Sequence, residues 1–86
     1  MNVRSFNRKY HGEWMIKKVL KDKQLGRCYE FINVCQSQVI YHLYPNLGKY
    51  RPESIIMTFK VSQEIFNDVM LVMDFLRERH KKDELL

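Results

Sequence analysis

The strongest periodic pattern lies near the C-terminal end of the chain. From residue 62 to about residue 82, apolar residues recur at three- and four-residue spacing, which predicts an amphipathic helix. Ser62 is a good N-cap, and Glu64 in the first turn complements the helix dipole. The apolar stripe and its neighbours are Ile65, Val69, Val72 and Leu76, with Phe66, Met70 and Met73 beside them.

Alternating apolar and polar residues predict strands before this helix. Residues 27–44 are rich in Tyr, Phe, Ile and Val, which suit a pleated surface. One strand of that length is too long for a small domain, so we expect a break at Gln36 and Ser37 and hence a hairpin. Residues 55–61 alternate cleanly and predict a further strand. A helical stripe through Cys28, Ile32 and Val39 keeps an all-α domain as the alternative.

Three other segments complete the predicted fold. Residues 13–25 fit a strand by the parity of Trp14 and Ile16, or a helix by the spacing of Met15 and Val19, and Gly26 ends either element. Residues 45–52 hold two prolines, a glycine and an asparagine, which predicts a loop. Residues 1–12 are interpreted as a basic N-terminal arm, ordered only if docked. We therefore predict one α+β domain over residues 13–86, with a small antiparallel sheet of three to four strands and a C-terminal helix.

Length and composition indicate a folded domain with a thin core. The chain has 86 residues, of which 45% are hydrophobic and 13% aromatic. No apolar run approaches the ~18 residues of a membrane span. The first twenty residues lack the pattern of a secretory signal, and two cysteines in such a chain suggest reduced thiols. We therefore expect a cytoplasmic protein without membrane contact.

Positive charge is interleaved with aromatic residues in the first third of the chain and again in the predicted loop. The net charge is +5, and the isoelectric point is near 9.4. Cations that follow phosphates, together with rings that stack on bases, are how single-stranded nucleic acid is held. The partner that we expect is therefore nucleic acid, or else an acidic protein surface. The candidate nucleic-acid-binding residues are Arg4, Arg8, Lys9, Tyr10, Lys17, Lys18, Lys21, Lys23, Arg27, Lys49, Tyr50 and Arg51.

No sequence motif indicates catalysis. The three glycines stand apart, so there is no phosphate-binding glycine loop, and no nucleophile or metal-ligand motif is present. Cys28 and Cys35 are seven residues apart, unlike the close pairs of structural zinc sites. We predict no catalytic residues, no metal and no cofactor, and therefore a binding protein rather than an enzyme.

The C-terminal helix supports a second hypothesis. Leu71 and Phe75 lie outside its apolar stripe, and Met70 and Met73 add adaptable side chains. These four residues predict a partner interface, either in a homodimer or in a protein-interaction module such as a phage- or mobile-element-type inhibitor of a host factor. The hypothesis requires Leu71 and Phe75 to be at least partly exposed.

Overall fold

The computed structural model describes residues 1–52 and 61–85. Its described elements are helix α1 (Val3–Lys9), strands β1 (Trp14–Lys18), β2 (Tyr29–Asn33), β3 (Gln38–Tyr44) and β4 (Lys49–Pro52), a short 3-10 helix (Pro45–Leu47), and helix α2 (Gln63–Leu85). The four described strands form one antiparallel sheet in the order β1-β2-β3-β4. The α+β prediction is confirmed, and the all-α alternative is excluded.

The strand predictions have mixed outcomes. The hairpin with a break at Gln36 and Ser37 is confirmed, and Ser37 adopts a positive φ of 52° in the turn. In the ambiguous segment 13–25, the strand alternative is correct over β1. The prediction of a loop over residues 45–52 is wrong for residues 49–52, which form β4 beside β3. The strand predicted over residues 55–61 lies, except for Val61, outside the described residues.

One face of the sheet carries the core. Phe31, Leu43 and Ile16 are at most 1% exposed, and they pack against Val69 and Val72 of α2. Because successive residues of a strand point to opposite faces, the residues between them lie on the other face. That second face includes a cross-strand row of charged and polar residues: Lys17, Glu30, His42 and Arg51.

Helix α2 confirms the helix predicted from residue 62 to about residue 82. The hydroxyl of Ser62 accepts a hydrogen bond from the backbone N–H of Ile65 at 3.3 Å, as expected for an N-cap. Val69, Val72, Met73 and Leu76 are buried at three- and four-residue spacing. The C-terminal half also holds the 3-10 helix in place, since Nδ1 of His80 lies 2.7 Å from Oδ1 of Asn46.

The segment interpreted as an N-terminal arm contains α1, which is docked on the sheet. Asn2 and Ser5 form a reciprocal capping box, in which each side chain accepts a hydrogen bond from the other's backbone N–H at 2.8–3.0 Å. The Phe6 ring is fully buried against Phe31. Helix α1 is therefore part of the core. Residues 1–12 were expected to be ordered only if they docked on the domain, and α1 does dock.

Asn7 of α1 closes the outer edge of β1. Its side-chain amide donates to the carbonyl of Ile16 at 3.0 Å, and its side-chain oxygen accepts from the N–H of Ile16 at 2.8 Å. The two bonds replace those that another strand would make, so they cover an edge that could otherwise pair with a second chain.

Replacing Asn7 with alanine is expected to lower the free energy of unfolding by about 1–3 kcal/mol. Both backbone groups of Ile16 would lose their partner next to a buried side chain. Urea unfolding measures the change. Asn67→Ala, at an exposed position of α2, is the control and should cost less than about 0.5 kcal/mol. Equal values for the two variants would contradict this role of Asn7.

Candidate nucleic-acid interface

A groove of about 610 Å³ lies where α1, the end of β1 and the C-terminal half of α2 meet. We call it the cationic groove. Its lining residues are Asn2, Val3, Arg4, Asn7, Lys18, Tyr29, Phe75, Leu76 and Arg79. No Asp or Glu is among these described lining residues, although α2 itself carries several acids.

Three cations from three different elements line the groove. Arg4 comes from α1, Lys18 from β1 and Arg79 from α2, and all three are exposed. None of them forms an ion pair within the described part of the chain. Because the groove walls displace solvent and carry no opposing charge, the positive potential there is higher than on an open surface. The groove is therefore suited to an anionic ligand.

Tyr29 forms the inner wall of the groove. Its side chain is only 6% exposed, and its ring stacks on that of His80 at a centroid distance of 6.4 Å. Burial raises the pKa of the Tyr29 hydroxyl, while the charges of Arg27 and Arg79 oppose that rise. Tyr29 also lies directly across the sheet from Lys18. Arg27 and Arg79 are the two cations whose charge acts on the Tyr29 hydroxyl.

Phe75 provides an exposed ring at the groove. It is 39% exposed, and Leu71, one turn earlier on α2, is 51% exposed. The expectation that both are at least partly exposed is confirmed, while their role as a partner interface stays a prediction.

Met70 is half-buried against the core. Met73 is only 3% exposed and lies in the core, so its assignment to a partner interface is wrong: it belongs to the buried stripe of α2.

Two predicted nucleic-acid-binding residues have partners inside the protein. The ammonium of Lys9 lies 2.8 Å from the carboxylate of Asp68, and the hydroxyl of Tyr10 donates to the same oxygen. The hydrogen bond from Lys9 and, to a smaller extent, that from Tyr10 lower the pKa of Asp68. Asp68 is 8% exposed. The Tyr10 ring also packs on Phe6. Lys9 and Tyr10 therefore connect the end of α1 with α2, and their role in nucleic-acid binding stays a prediction.

The predicted basic cluster at residues 49–51 lines a separate pocket of about 450 Å³. Lys49 and Arg51 meet Gln24 and Leu25 of the loop between β1 and β2 there. Asp22 in that loop accepts hydrogen bonds from the N–H groups of residues 24 and 25, which lower its pKa, as does the charge of Arg51. An acid close to Arg51 makes this pocket less suited to anions than the cationic groove.

The remaining predicted cations are dispersed. Arg8, Lys17, Lys21 and Lys23 are exposed and do not line the cationic groove. Lys17 lies on the opposite face of the sheet from Lys18, across from Glu30. Of the twelve residues predicted to bind nucleic acid, the structure thus places Arg4 and Lys18 in the cationic groove and Arg27 close to Tyr29.

Sequence reasoning missed two residues of this groove. Arg79 and Tyr29 line the groove but are not among the residues that the sequence predicts to bind nucleic acid. The detectable signal for Arg79 was its four-residue spacing from Phe75, which places both side chains on one face of α2. Nothing in the local sequence links either of them to Arg4.

The cysteines are consistent with reduced thiols. Cys28 is buried and Cys35 is exposed, and both are free. Burial raises the pKa of the Cys28 thiol, which disfavours its reactive thiolate form.

Within residues 1–52 and 61–85, no group of three or more His, Cys, Asp or Glu side chains could hold a metal ion. Neither described helix is long and apolar enough to cross a membrane.

Comparison with known proteins adds no family to these observations. The chain matches no protein-family model, no curated protein and no solved structure.

Proposed function

We propose that this protein is a non-enzymatic binding protein that holds single-stranded nucleic acid in the cationic groove. The observation that carries the proposal is the convergence of Arg4, Lys18 and Arg79 on one groove without an acidic lining residue. Such a surface neutralises phosphates and releases their counterions.

Single-stranded nucleic acid fits better than a duplex because of the exposed ring. Phe75 stands among the three cations and offers a face for one unpaired base, whereas the bases of a duplex are already stacked on one another. We therefore expect a single-stranded oligonucleotide to bind more tightly than a duplex of the same sequence.

The test compares two triple variants that remove equal charge. The groove variant replaces each lining cation with glutamine: Arg4→Gln, Lys18→Gln and Arg79→Gln. The control variant removes three exposed cations outside the groove: Lys17→Gln, Lys23→Gln and Lys82→Gln. Fluorescence anisotropy with a single-stranded oligonucleotide, over a series of salt concentrations, measures both affinity and its salt dependence.

We expect the groove variant to lower affinity by about tenfold or more at ~100 mM salt. The logarithm of the association constant, plotted against the logarithm of the salt concentration, should have a slope shallower by about 2. Three phosphate contacts are lost, and each contributes ~0.7 for a single strand. The control variant should keep most of the slope. Equal losses in both variants would mean that only net charge matters, and undetectable binding of the unaltered protein at ~50 mM salt would exclude the function.

A second candidate function is a protein-interaction module. The exposure of Leu71 and Phe75 on one face of α2 favours it, because exposed large apolar side chains that lie together are typical of protein contacts. An acidic protein surface, such as that of a host factor inhibited by a phage- or mobile-element-type protein, would also satisfy the neighbouring cations. Leu71→Ser distinguishes the two functions: it should abolish binding to a protein partner and leave oligonucleotide affinity within about twofold, because Leu71 does not line the groove.

A further inference from the structure

The face of the sheet that points away from the core has an apolar row at one end. Met15, Ile32 and Val39 lie opposite one another on β1, β2 and β3, so their side chains share that face. All three are half-buried, yet none belongs to the core or to the described residues that pack against it. Since α1 and α2 pack into the core on the other side, neither of these helices covers the row. We call this surface the open face.

A second apolar site lies at the other end of the open face. A pocket of about 430 Å³ is lined there by Cys28 and Tyr44, together with Glu30 and His42 of the open face. Leu20 also lines the pocket and is 93% exposed, the highest value among the large apolar residues of the described ranges. A lone exposed leucine is ordinary, but a leucine that borders a pocket is suited to a protein contact, because a partner side chain fills the pocket and covers the leucine.

The row between these two sites carries charge. It consists of four residues that lie opposite one another on the four strands: Lys17, Glu30, His42 and Arg51. Nε2 of His42 lies 3.3 Å from the Glu30 carboxylate, so exposed positive charge is left at the two ends of the row. With the residues around the pocket and on β4, the open face carries more cations than acids: Lys17, Lys21, Lys49 and Arg51 against Asp22 and Glu30. Charge complementarity therefore favours an acidic occupant.

An acidic protein segment fits this face better than nucleic acid or a second copy of the chain does. The described part of the open face offers no exposed aromatic ring on which a base could stack, since its tyrosine, Tyr44, is only 7% exposed. The carboxylates of Asp22 and Glu30 would also repel phosphates. A second copy would bring two positively charged faces together, which is unfavourable.

We propose that the open face docks an acidic amphipathic helix of a protein partner, which lies along the strands from the apolar row to the pocket. A sheet face with apolar residues is stably covered by a packed layer, and α2 covers the opposite face in this way. A helix about 10 Å wide fits between Lys17 and Arg51, whose strands are separated by three strand spacings, or about 14 Å.

The spacing of the two apolar sites matches two anchors on one helix. Met15 of the apolar row and Val19 of the pocket are four residues apart along β1 and its end, about 13 Å. At ~1.5 Å per residue, a helix covers this distance in about eight or nine residues. One helix can therefore place an apolar side chain at each site, with acidic side chains beside Lys17 and Arg51. The open face is distinct both from the cationic groove and from the α2 surface of Leu71 and Phe75.

The test titrates the protein with two synthetic helical peptides of about 16 residues, which span both apolar sites. Both peptides carry leucines at two anchor positions about eight residues apart, flanked by glutamates in one peptide and by lysines in the other. Calorimetry measures affinity, and NMR maps the contact. We expect the acidic peptide to bind about tenfold or more tightly than the basic one, because attraction to the flanking cations replaces repulsion. It should shift the amide signals of Lys17, Ile32 and His42.

The decisive variant is Leu20→Ser. Because Leu20 is almost fully exposed, the substitution should leave thermal stability unchanged. It should weaken the acidic peptide about tenfold, the size expected when a leucine is no longer buried in the contact. The matched control is Leu71→Ser, at an exposed leucine of α2, which should keep the affinity within about twofold.

The other outcomes overturn the proposal, each for a different reason. Equal affinity for the two peptides removes the acidic partner, and a loss in Leu71→Ser instead of Leu20→Ser moves the contact to α2. A single-stranded oligonucleotide that shifts the open-face signals makes nucleic acid the occupant. Self-association that Leu20→Ser abolishes makes it a second copy of the chain. No binding at millimolar acidic peptide excludes a docked helix. Leu20 does not line the cationic groove, so oligonucleotide binding succeeds or fails independently of these results.

Discussion

Replacing Phe6 with alanine is expected to lower the free energy of unfolding by about 3–5 kcal/mol, the range for removing a fully buried aromatic ring. Phe6 packs against Tyr10 and Phe31, and it is the buried anchor by which α1 joins the core. A native domain has only about 5–15 kcal/mol of stability in total, so the variant should lose a large share of it. Oligonucleotide affinity should fall with it, because α1 carries Arg4 into the groove.

The matched control is the same substitution at an exposed ring. Phe75→Ala removes a side chain that is 39% exposed and should cost less than about 1 kcal/mol of stability. It should nevertheless weaken binding of a single strand, by the ~1–3 kcal/mol typical of one base-stacking contact. Guanidinium unfolding of both variants tests the contrast. A cost below about 1 kcal/mol for Phe6→Ala would mean that α1 is a detachable arm after all.

Replacing Asp68 with alanine is expected to cost about 2–3 kcal/mol. The Asp68 carboxylate accepts hydrogen bonds from both Lys9 and Tyr10. Its loss leaves Lys9 with only the longer ion pair to Glu64 of α2, at 3.6 Å, and leaves the half-buried Tyr10 hydroxyl without its partner. Asp74→Ala, at an exposed aspartate further along the same helix, should change stability by less than about 0.5 kcal/mol.

The contribution of Asp68 should depend on pH in the acid range. Hydrogen bonds from Lys9 and then Tyr10 lower the pKa of Asp68 in the folded protein, so the folded state binds its proton less readily than the unfolded state does. The stability that it supplies is therefore complete well above the ordinary aspartate pKa of ~3.9 and is lost as the pH falls through the lowered folded-state pKa. The unfolding free energies of the unaltered protein and of Asp68→Ala should converge below about pH 4. A difference that stays constant down to pH 2 would contradict the ion-pair account.

Local patterns predicted the elements whose signal is contained in a few consecutive residues. Helix α2 has a continuous stripe and an N-cap, and the β2–β3 hairpin has alternating residues on both sides of a polar break. Strand β4 was missed because it has only four residues and ends in Pro52, a residue that disfavours strands except at their ends and edges. Helix α1 was underestimated because it is a seven-residue helix, and so short a helix depends on its capping box and on the burial of Phe6.

The candidate groove could be predicted only in part. Net charge and the clustering of cations indicated an anionic partner and included Arg4 and Lys18. Which cations act together is decided by long-range geometry: Lys18 and Lys17 are adjacent in sequence but lie on opposite faces of the sheet. Arg4 and Arg79 are brought together only when α1 and α2 pack side by side on that sheet. Periodicity within one segment contains no information about such pairings.

The central claim is that single-stranded nucleic acid binds in the cationic groove, and an NMR titration tests it most directly. A short single-stranded oligonucleotide, added stepwise to the isotope-labelled protein, should shift the backbone amide signals of Arg4, Lys18 and Tyr29 together with those of Phe75 and Arg79 on α2. The signals of Lys17 and Glu30, on the opposite face of the sheet, should move little. Shifts confined to residues 49–51 and the opposing loop, or no shifts at millimolar oligonucleotide and low salt, would contradict the account.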